Sequence, residues 1–437
     1  MNERVMSRDI CDTNEPIVRF LFLPYLAAGT LSFPIALLPV MGYPTNPAFA
    51  LAPLVALSFL RSWREPTAIA FAAAGICGLL SIGVAEAIAS DGRIGRNLLS
   101  LTLIMFSAGF FFLGRILPPR KVLFFLGLFS AIYVLVCAAH VLWLSEDVRV
   151  MKDDGHAYLN MFFFGIPSFA SFGVNALAHM VVLQATLIAG LFYSRRYPTM
   201  LTAFFGLALM AALFLAMGSD SRSTHISIII LAMSAIAYSF FARRGTLKSI
   251  IVFAMLGLVS FWHGLSDRNP RIIDTAQAVY SNISEKEVIA PWANDVKIDS
   301  GRVVLIQTAL DELIQSPLIG TGFSSWGRYA PVNDQIRANS APHNYYLTLV
   351  WKGGILFALP FSVFLTLCAV ATWSARPWFR GSALTFATFA VALLMVPMAL
   401  TYETPAVPSA GALGFLLLGL ISSLNKSKSR QYSEADE

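Results

Sequence analysis

Long apolar runs alternate with short polar turns along most of this chain. Crossing a bilayer core takes about 20 mainly apolar helical residues. Runs of that kind fall at about 20–41, 47–60, 66–89, 98–114, 122–144, 170–192, 200–217, 224–241, 249–265, 345–372, 381–400 and 408–424. The second and last are short. The tenth is interrupted by Lys352-Gly353-Gly354, which predicts a bent or broken helix. The pattern predicts an all-α polytopic membrane protein with about 12 transmembrane helices. One hydrophilic stretch is long, Ser266 to Asn344, between the ninth and tenth runs. A smaller polar loop, Ser145 to Phe169, is aromatic-rich (Tyr158, Phe162, Phe163, Phe164) and suits the membrane interface. Inside the long loop, Gly301 to Ser316 has helical periodicity, with Val303, Ile306, Leu310, Leu313 and Ile314 on one face. Asp299 or Ser300 can cap its start, Pro317 follows its end, and Gly320-Thr321-Gly322 forces a turn.

Composition sharpens this picture. Of the 437 residues, 57% are apolar and 13% charged, and the mean hydropathy is +0.67. Soluble chains carry about 25% charged residues. The gap excludes a soluble enzyme, a disordered regulator and a secreted disulfide scaffold. The net charge is +6, but the basic residues are dispersed between apolar segments, which argues against nucleic acid as a partner. Cys11 lies in the polar N-terminal tail, and Cys77, Cys137 and Cys368 lie in apolar runs, so no disulfide framework or metal site is indicated.

Lysines and arginines set the orientation of such a chain. With the N-terminus inside, the inner segments hold 18 of them and the short outer loops five. Both termini are therefore expected in the cytoplasm and the long loop outside, on the periplasmic side of a bacterial inner membrane. The leader to Ile17 carries Glu3, Asp9, Asp12 and Glu15, so the first run reads as an uncleaved anchor. The expected partition is a tail at 1–17, nine spans over 18–265, a catalytic loop at 266–344, three spans over 345–424 and a tail at 425–437. The loop holds nine acidic and seven basic residues, a balance that suits a folded, water-facing subdomain.

Polar groups beside apolar spans are costly and therefore informative. Three clusters fall at the outer face. Arg222 lies in Gly218-Ser219-Asp220-Ser221-Arg222-Ser223-Thr224-His225, a very short outer turn, at the start of the eighth run. It is either an interfacial snorkelling arginine or an anion clamp, since a guanidinium matches phosphate bidentately. Arg302 opens the amphipathic loop helix after Asp299-Ser300-Gly301. It either pairs with Asp299 on a solvated surface or serves as a second anion ligand. His343, in Pro342-His343-Asn344-Tyr345-Tyr346, ends the loop where the tenth run begins. Its ordinary pKa of about 6.5 suits proton transfer, and a hydrogen-bonded structural histidine is the alternative. Glu86 and His140 lie near outer span ends, while Asn175, His179 and Gln184 fall within the sixth run. There is no P-loop, dinucleotide fingerprint or serine elbow, so the energy for a reaction would come from the substrate.

The order of these clusters is similar to that of a known family. Ser221-Arg222 in a short outer turn precedes two spans, a long loop with Ser300-Gly301-Arg302, the segment Pro317 to Phe323, then His343-Asn344 and a bent span. From about Gly218 to Phe357 the chain resembles the O-antigen ligase and O-antigen polymerase family of bacterial envelope glycosyltransferases. The resemblance implies a helical bundle of the glycosyltransferase C superfamily type, its long loop capping an outward cavity. It implies transfer of a glycan from an undecaprenyl-diphosphate carrier to an acceptor hydroxyl, with inversion and with neither metal nor cofactor. Arg222 and Arg302 would bind the diphosphate, His343 would act as base, and Asn344 and Tyr345 would complete the substrate site. The acceptor would be lipid A–core for a ligase, or a growing glycan for an O-antigen or exopolysaccharide polymerase.

The ligase pattern has His, then Asn, Ser or Gln, nine residues, and Gly-x-x-Gly, Thr or Tyr. His343-Asn344 and Gly354 fit it, and Phe357 departs from it at the last position. Polymerases often pair an arginine with glycine eleven residues later, whereas here Met233 and Leu313 stand at that offset from Arg222 and Arg302. The balance favours a ligase. A protein O-oligosaccharyltransferase shares this chemistry. A secondary transporter fits less well, because most charges sit at span ends and one loop breaks any symmetry of halves.

Overall fold

In a computed structural model of the chain, apolar runs and helices coincide closely. The structure describes residues 26, 30, 39–40, 43–44, 49, 51–89, 94–143, 149–151, 157–159, 162–163, 166–167, 173–194, 197–217, 222–242, 246–265, 302–323, 342, 344–375, 383–401 and 408–433. Among these, helices cover Ala52–Arg61 (α1), Pro66–Ala89 (α2), Ile94–Ile116 (α3), Pro119–Trp143 (α4), Gly173–Tyr193 (α5) and Thr199–Met217 (α6). They continue with Arg222–Ala242 (α7), Thr246–Leu265 (α8), Arg302–Gln315 (α9), Tyr345–Ser374 (α10), Ala383–Thr401 (α11) and Pro408–Ser433 (α12). The loop helix expected over 301–316 is α9, and the other eleven helices match the second to twelfth runs. Most of the first run lies outside the described residues. Its end differs from the expectation: Pro39–Val40 pairs antiparallel with Tyr43–Pro44. Proline lacks the N–H a helix interior needs. Two further short ladders pair Arg149–Met151 with Ala157–Leu159, and Phe162–Phe163 with Ile166–Pro167, in the smaller polar loop.

Five stretches among the described residues are long and apolar enough to cross a membrane: Pro66–Ile88, Asn97–Ile116, Pro119–Ala139, Thr199–Met217 and Tyr345–Ser374. Shorter apolar helices accompany them, and the chain is a multi-pass membrane protein. The closest helix crossing is α3 on α12. A side chain at Gly419 would strike the carbonyl of Phe111, and one at Gly114 would meet Leu420 N at 2.9 Å. Small residues at a crossing let backbones approach and raise van der Waals contact where lipid offers no hydrophobic drive. Beside that crossing, Phe71, Phe111, Phe112 and Phe364 pack edge-on or tilted, with ring centroids 5.3–6.1 Å apart. This cluster ties α2 and α3 to α10.

Helix directions follow from these contacts. Phe71 meets Phe364 and Gly78 meets Phe357, so α2 and α10 are antiparallel. Gly75 meets Met105 and Gly78 meets Leu101, so α3 is antiparallel to α2 and parallel to α10. Along α10 and α12, Phe364 meets Phe415 and Thr372 meets Leu418, a parallel pair. Against α12, α11 is antiparallel (Gly414 with Met395, Ile421 with Phe386), and Tyr238 near the end of α7 meets Phe386 near the start of α11. The starts of α3, α7 and α10 therefore share one end of the bundle.

Candidate active site

The best-defined part of the site end is a break in α10 and the turn that fills it. Gly354 has φ 63° and ψ −174°, a conformation essentially confined to glycine. A Cβ there would also strike Leu318. The break frees the carbonyls of Trp351 and Lys352 and the amides of Ile355 and Leu356, which a continuous helix would join to one another. Each finds a partner in the segment after α9. Thr321 N–H donates to Trp351 O and Gly322 N–H to Lys352 O, both at 2.9 Å. Ile355 N–H donates to Pro317 O at 2.9 Å, and Leu356 N–H to Leu318 O at 3.0 Å. The Ser81 hydroxyl of α2 donates to Ile319 O. Non-helical backbone at membrane depth is tolerated only when protein or water satisfies it, and this turn does so bond for bond. Gly320 and Gly322, with φ 67° and 92°, allow the chain to reverse there. The interruption at Lys352-Gly353-Gly354 and the turn at Gly320–Gly322 are thus two halves of one clasp.

The clasp fixes α9 along α10. Leu305 and Ala309 pack with Leu347 and Trp351. Trp351 Nε1 donates to Glu312 Oε2 at 2.8 Å, with both residues buried. Contacts advance in the same direction on both helices, so α9 and α10 are parallel. Arg302 heads α9 and Asn344 caps α10, so these two helix starts fall at one end of the bundle. The sequence separates these two positions by a long loop, and the fold returns them to adjacent helix starts. Asn344 is the N-cap of α10, where its Oδ1 accepts the Leu347 N–H at 3.0 Å. Tyr345 is buried, and its hydroxyl has no hydrogen-bond partner among the described residues. His343 lies outside the described residues, between Pro342 and Asn344.

Arg222 is the first residue of α7, at the same end of the bundle but in another packing group. There α7 packs on α5, α8 and α11, whereas α9 packs on α10. The described contacts bring the starts of α9 and α10 to one end and leave Arg222 on a separate helix of that end. Three helix starts with positive dipole ends, two of them headed by arginine, make this end suited to an anion.

Among the described residues, buried side-chain polar atoms without hydrogen-bond partners also occur at this end in Asn97, near the start of α3, in Thr224, near the start of α7, and at one oxygen of Glu86, near the end of α2. Elsewhere among the described residues such atoms are Ser107 Oγ and Ser130 Oγ, mid-helix, Arg115 Nε and one oxygen of Gln184. A buried amide without a partner costs about 1–3 kcal/mol. Glu86 is half-buried near the end of α2, and His179 and Gln184 are buried within α5. Sequence reasoning named Thr224 only as part of the Gly218–His225 cluster and missed Glu312, Trp351, Ser81 and Asn97. Only Glu312 left a signal: it continues the spacing of Leu305 and Ala309, on a face from which a carboxylate should be excluded unless paired.

Residues 205–362 match the O-antigen ligase family model. The match begins within α6, takes in α7, α8, α9 and the clasp, and ends in α10 eight residues beyond Gly354. Family members of this type are membrane enzymes that transfer glycans, ligases and polymerases among them. None of the curated proteins compared with the chain matches it. Within the matched stretch, the ligase pattern's glycine falls at Gly354, whose φ and crowding by Leu318 account for it physically. Phe357, the departure from that pattern, is buried against Phe323 and Phe361. It fills the core below the clasp.

Proposed function

We propose that this protein is a glycosyltransferase of the glycosyltransferase C type. It would transfer a glycan from undecaprenyl diphosphate to an acceptor hydroxyl at the periplasmic face, most simply as an O-antigen ligase acting on lipid A–core. The observation that carries the reading is the parallel packing, inside the matched stretch, of α9 on α10. Arg302 heads the first of these helices, and His343-Asn344 precedes the second in the sequence.

In this scheme, Arg302 and Arg222 hold the two phosphates of the donor. The acceptor oxygen attacks the anomeric carbon from the side opposite the diphosphate, with inversion. The C–O bond to the diphosphate breaks, its electron pair stays on the phosphate oxygen, and the acceptor proton passes to His343. The arginines and helix dipoles stabilise charge that grows on the leaving group. Each charge-assisted contact contributes about 1.5–3 kcal/mol, and general-base help about 10²–10⁴-fold. Asn344 caps the start of α10, one residue after His343 in the sequence. The scheme calls on no metal or nucleotide.

The purified protein is offered an undecaprenyl-diphosphate oligosaccharide with and without lipid A–core, and products are separated by gel and mass spectrometry. Glycan joined to lipid A–core supports the ligase. A ladder that stays on undecaprenyl diphosphate without lipid A–core replaces it with a polymerase. No transfer to either acceptor, with a donor active in a control enzyme, removes both. The second reading, a polymerase, is favoured by Phe357 at the pattern's last position.

A further inference from the structure

The fold gives α9 three distinct faces. Leu305, Ala309 and Glu312 dock on α10. Gln307, Asp311 and Gln315 form an exposed polar stripe at i, i+4 and i+8. Between those two faces, on the other side, stand Leu310, 43% exposed, and Ile314, 76% exposed, and Leu318 of the following turn, 68% exposed. The apolar stripe read from the sequence is real, but its outer members Leu310 and Ile314 are exposed and join no core cluster among the described residues.

Depth decides what covers them. The turn after α9 is bonded to Ser81 of α2, and Phe357 of α10 lies against Gly78. The apolar stretch of α2 continues to Ile88, which is itself 65% exposed. Seven further helical residues correspond to about 10 Å. The C-terminal half of α9 and its turn therefore lie below the outer edge of the hydrocarbon that α2 spans. Exposed Ile355 and Leu359 continue the same apolar surface along α10. An aspartate within hydrocarbon costs about 2.5–3.5 kcal/mol, so the polar stripe faces water.

We propose that α9 is a re-entrant helix at a lipid–water boundary. Leu310, Ile314 and Leu318 contact acyl chains of the leaflet at the site end, while Gln307, Asp311 and Gln315 line a water-filled vestibule. This goes beyond the transferase reading and does not depend on it. It revises the expectation of a wholly water-facing loop. It also lets a lipid-borne substrate meet Arg302 at the head of α9 without leaving the bilayer.

The unaltered protein, in phosphatidylcholine vesicles containing a lipid with a diazirine at mid-acyl chain, is irradiated and its adducts are mapped by mass spectrometry. Adducts are expected on Leu310, Ile314 and Leu318, as on the exposed Leu79 and Leu80 of α2, with Gln307 and Gln315 clean. Nitroxides at Ile314 and Asp311, in a chain whose cysteines are replaced, give an independent reading. The ratio of oxygen to nickel-chelate collision should be several-fold higher at Ile314. Labelled Leu79 and Leu80 with an unlabelled α9, or equal collision ratios at the two nitroxides, would place α9 in water or under protein and overturn the proposal.

Discussion

At the end of the bundle where α3, α5 and α7 finish, cations are tied to the backbone and to carboxylates. Arg115 of α3 pairs with Glu65 in the turn before α2 and reaches Thr67 Oγ1 at 3.5 Å. Lys248 Nζ of α8 donates to the carbonyls of Phe192 and Ser194 at 2.5 and 3.3 Å, closing the C-terminus of α5 where the helix dipole favours a cation. At the opposite end, Asn97, Thr224 and Tyr345 are buried with hydrogen-bonding groups that find no partner among the described residues. One end is built as a structural seam. The other, where α7 and α9 begin with Arg222 and Arg302, keeps polar capacity in reserve. On the proposed function, stability and substrate recognition are divided between the two ends, and the clasp at Gly354 serves the second.

The sharpest way to break that comparison is at the arginines. Arg222→Ala and Arg302→Ala should abolish transfer in the purified-protein assay while membrane levels stay normal. Arg302→Lys should also fail, because a point charge cannot replace a bidentate fork. Next in size is Gly354→Val, which forces a β-branched residue into a glycine-only conformation against Leu318. It should cost about 3 kcal/mol or more, seen as a lower melting temperature in detergent together with lost transfer. Glu65→Ala strands Arg115, a mostly buried cation, and should cost about 3 kcal/mol. Unlike the arginine variants, it should leave the activity of surviving folded protein near normal.

Smaller effects sharpen the same contrast. Glu312→Ala leaves the Trp351 N–H buried without an acceptor and should cost about 1–3 kcal/mol. Glu312→Gln keeps an acceptor oxygen and should restore most of it, read by thermal unfolding. Asn97→Leu and Thr224→Val should do the opposite of the other changes. They remove unpartnered polar groups, so stability should rise by about 1 kcal/mol while donor affinity falls, as titration of the donor would report. A drop in stability in these two variants would mean that the site end is also a structural seam.

Much of the fold was legible because apolar run length is decisive in a bilayer, as the agreement of runs 66–89 and 345–372 with α2 and α10 attests. The broken tenth helix and the turn at Gly320–Gly322 were legible separately, since glycine pairs mark both. Their union was not, because a hydrogen-bond exchange between residues 317–322 and 351–356 leaves no local signature. The periodicity of α9 was read correctly as a helix with one apolar face. What sequence could not tell was which face meets protein, since Glu312 docks on α10 while Ile314 does not. Asn97 sat just outside its apolar run and carried no signal until helix packing buried it. Arg222 and Arg302 were legible as candidates from their place at helix starts, and the resemblance to O-antigen ligases supplied their order. That α9 runs parallel to α10, with both helix starts at one end, needed the fold.

The central claim is that Arg222 and Arg302, on two packing groups, hold one diphosphate. Equilibrium binding of undecaprenyl-diphosphate oligosaccharide to the full-length protein, measured for the wild type and both alanine variants, addresses it directly. The account predicts that each variant binds the donor about tenfold or more weakly, as loss of a charge-assisted contact requires. Wild-type donor affinity in either variant would contradict it.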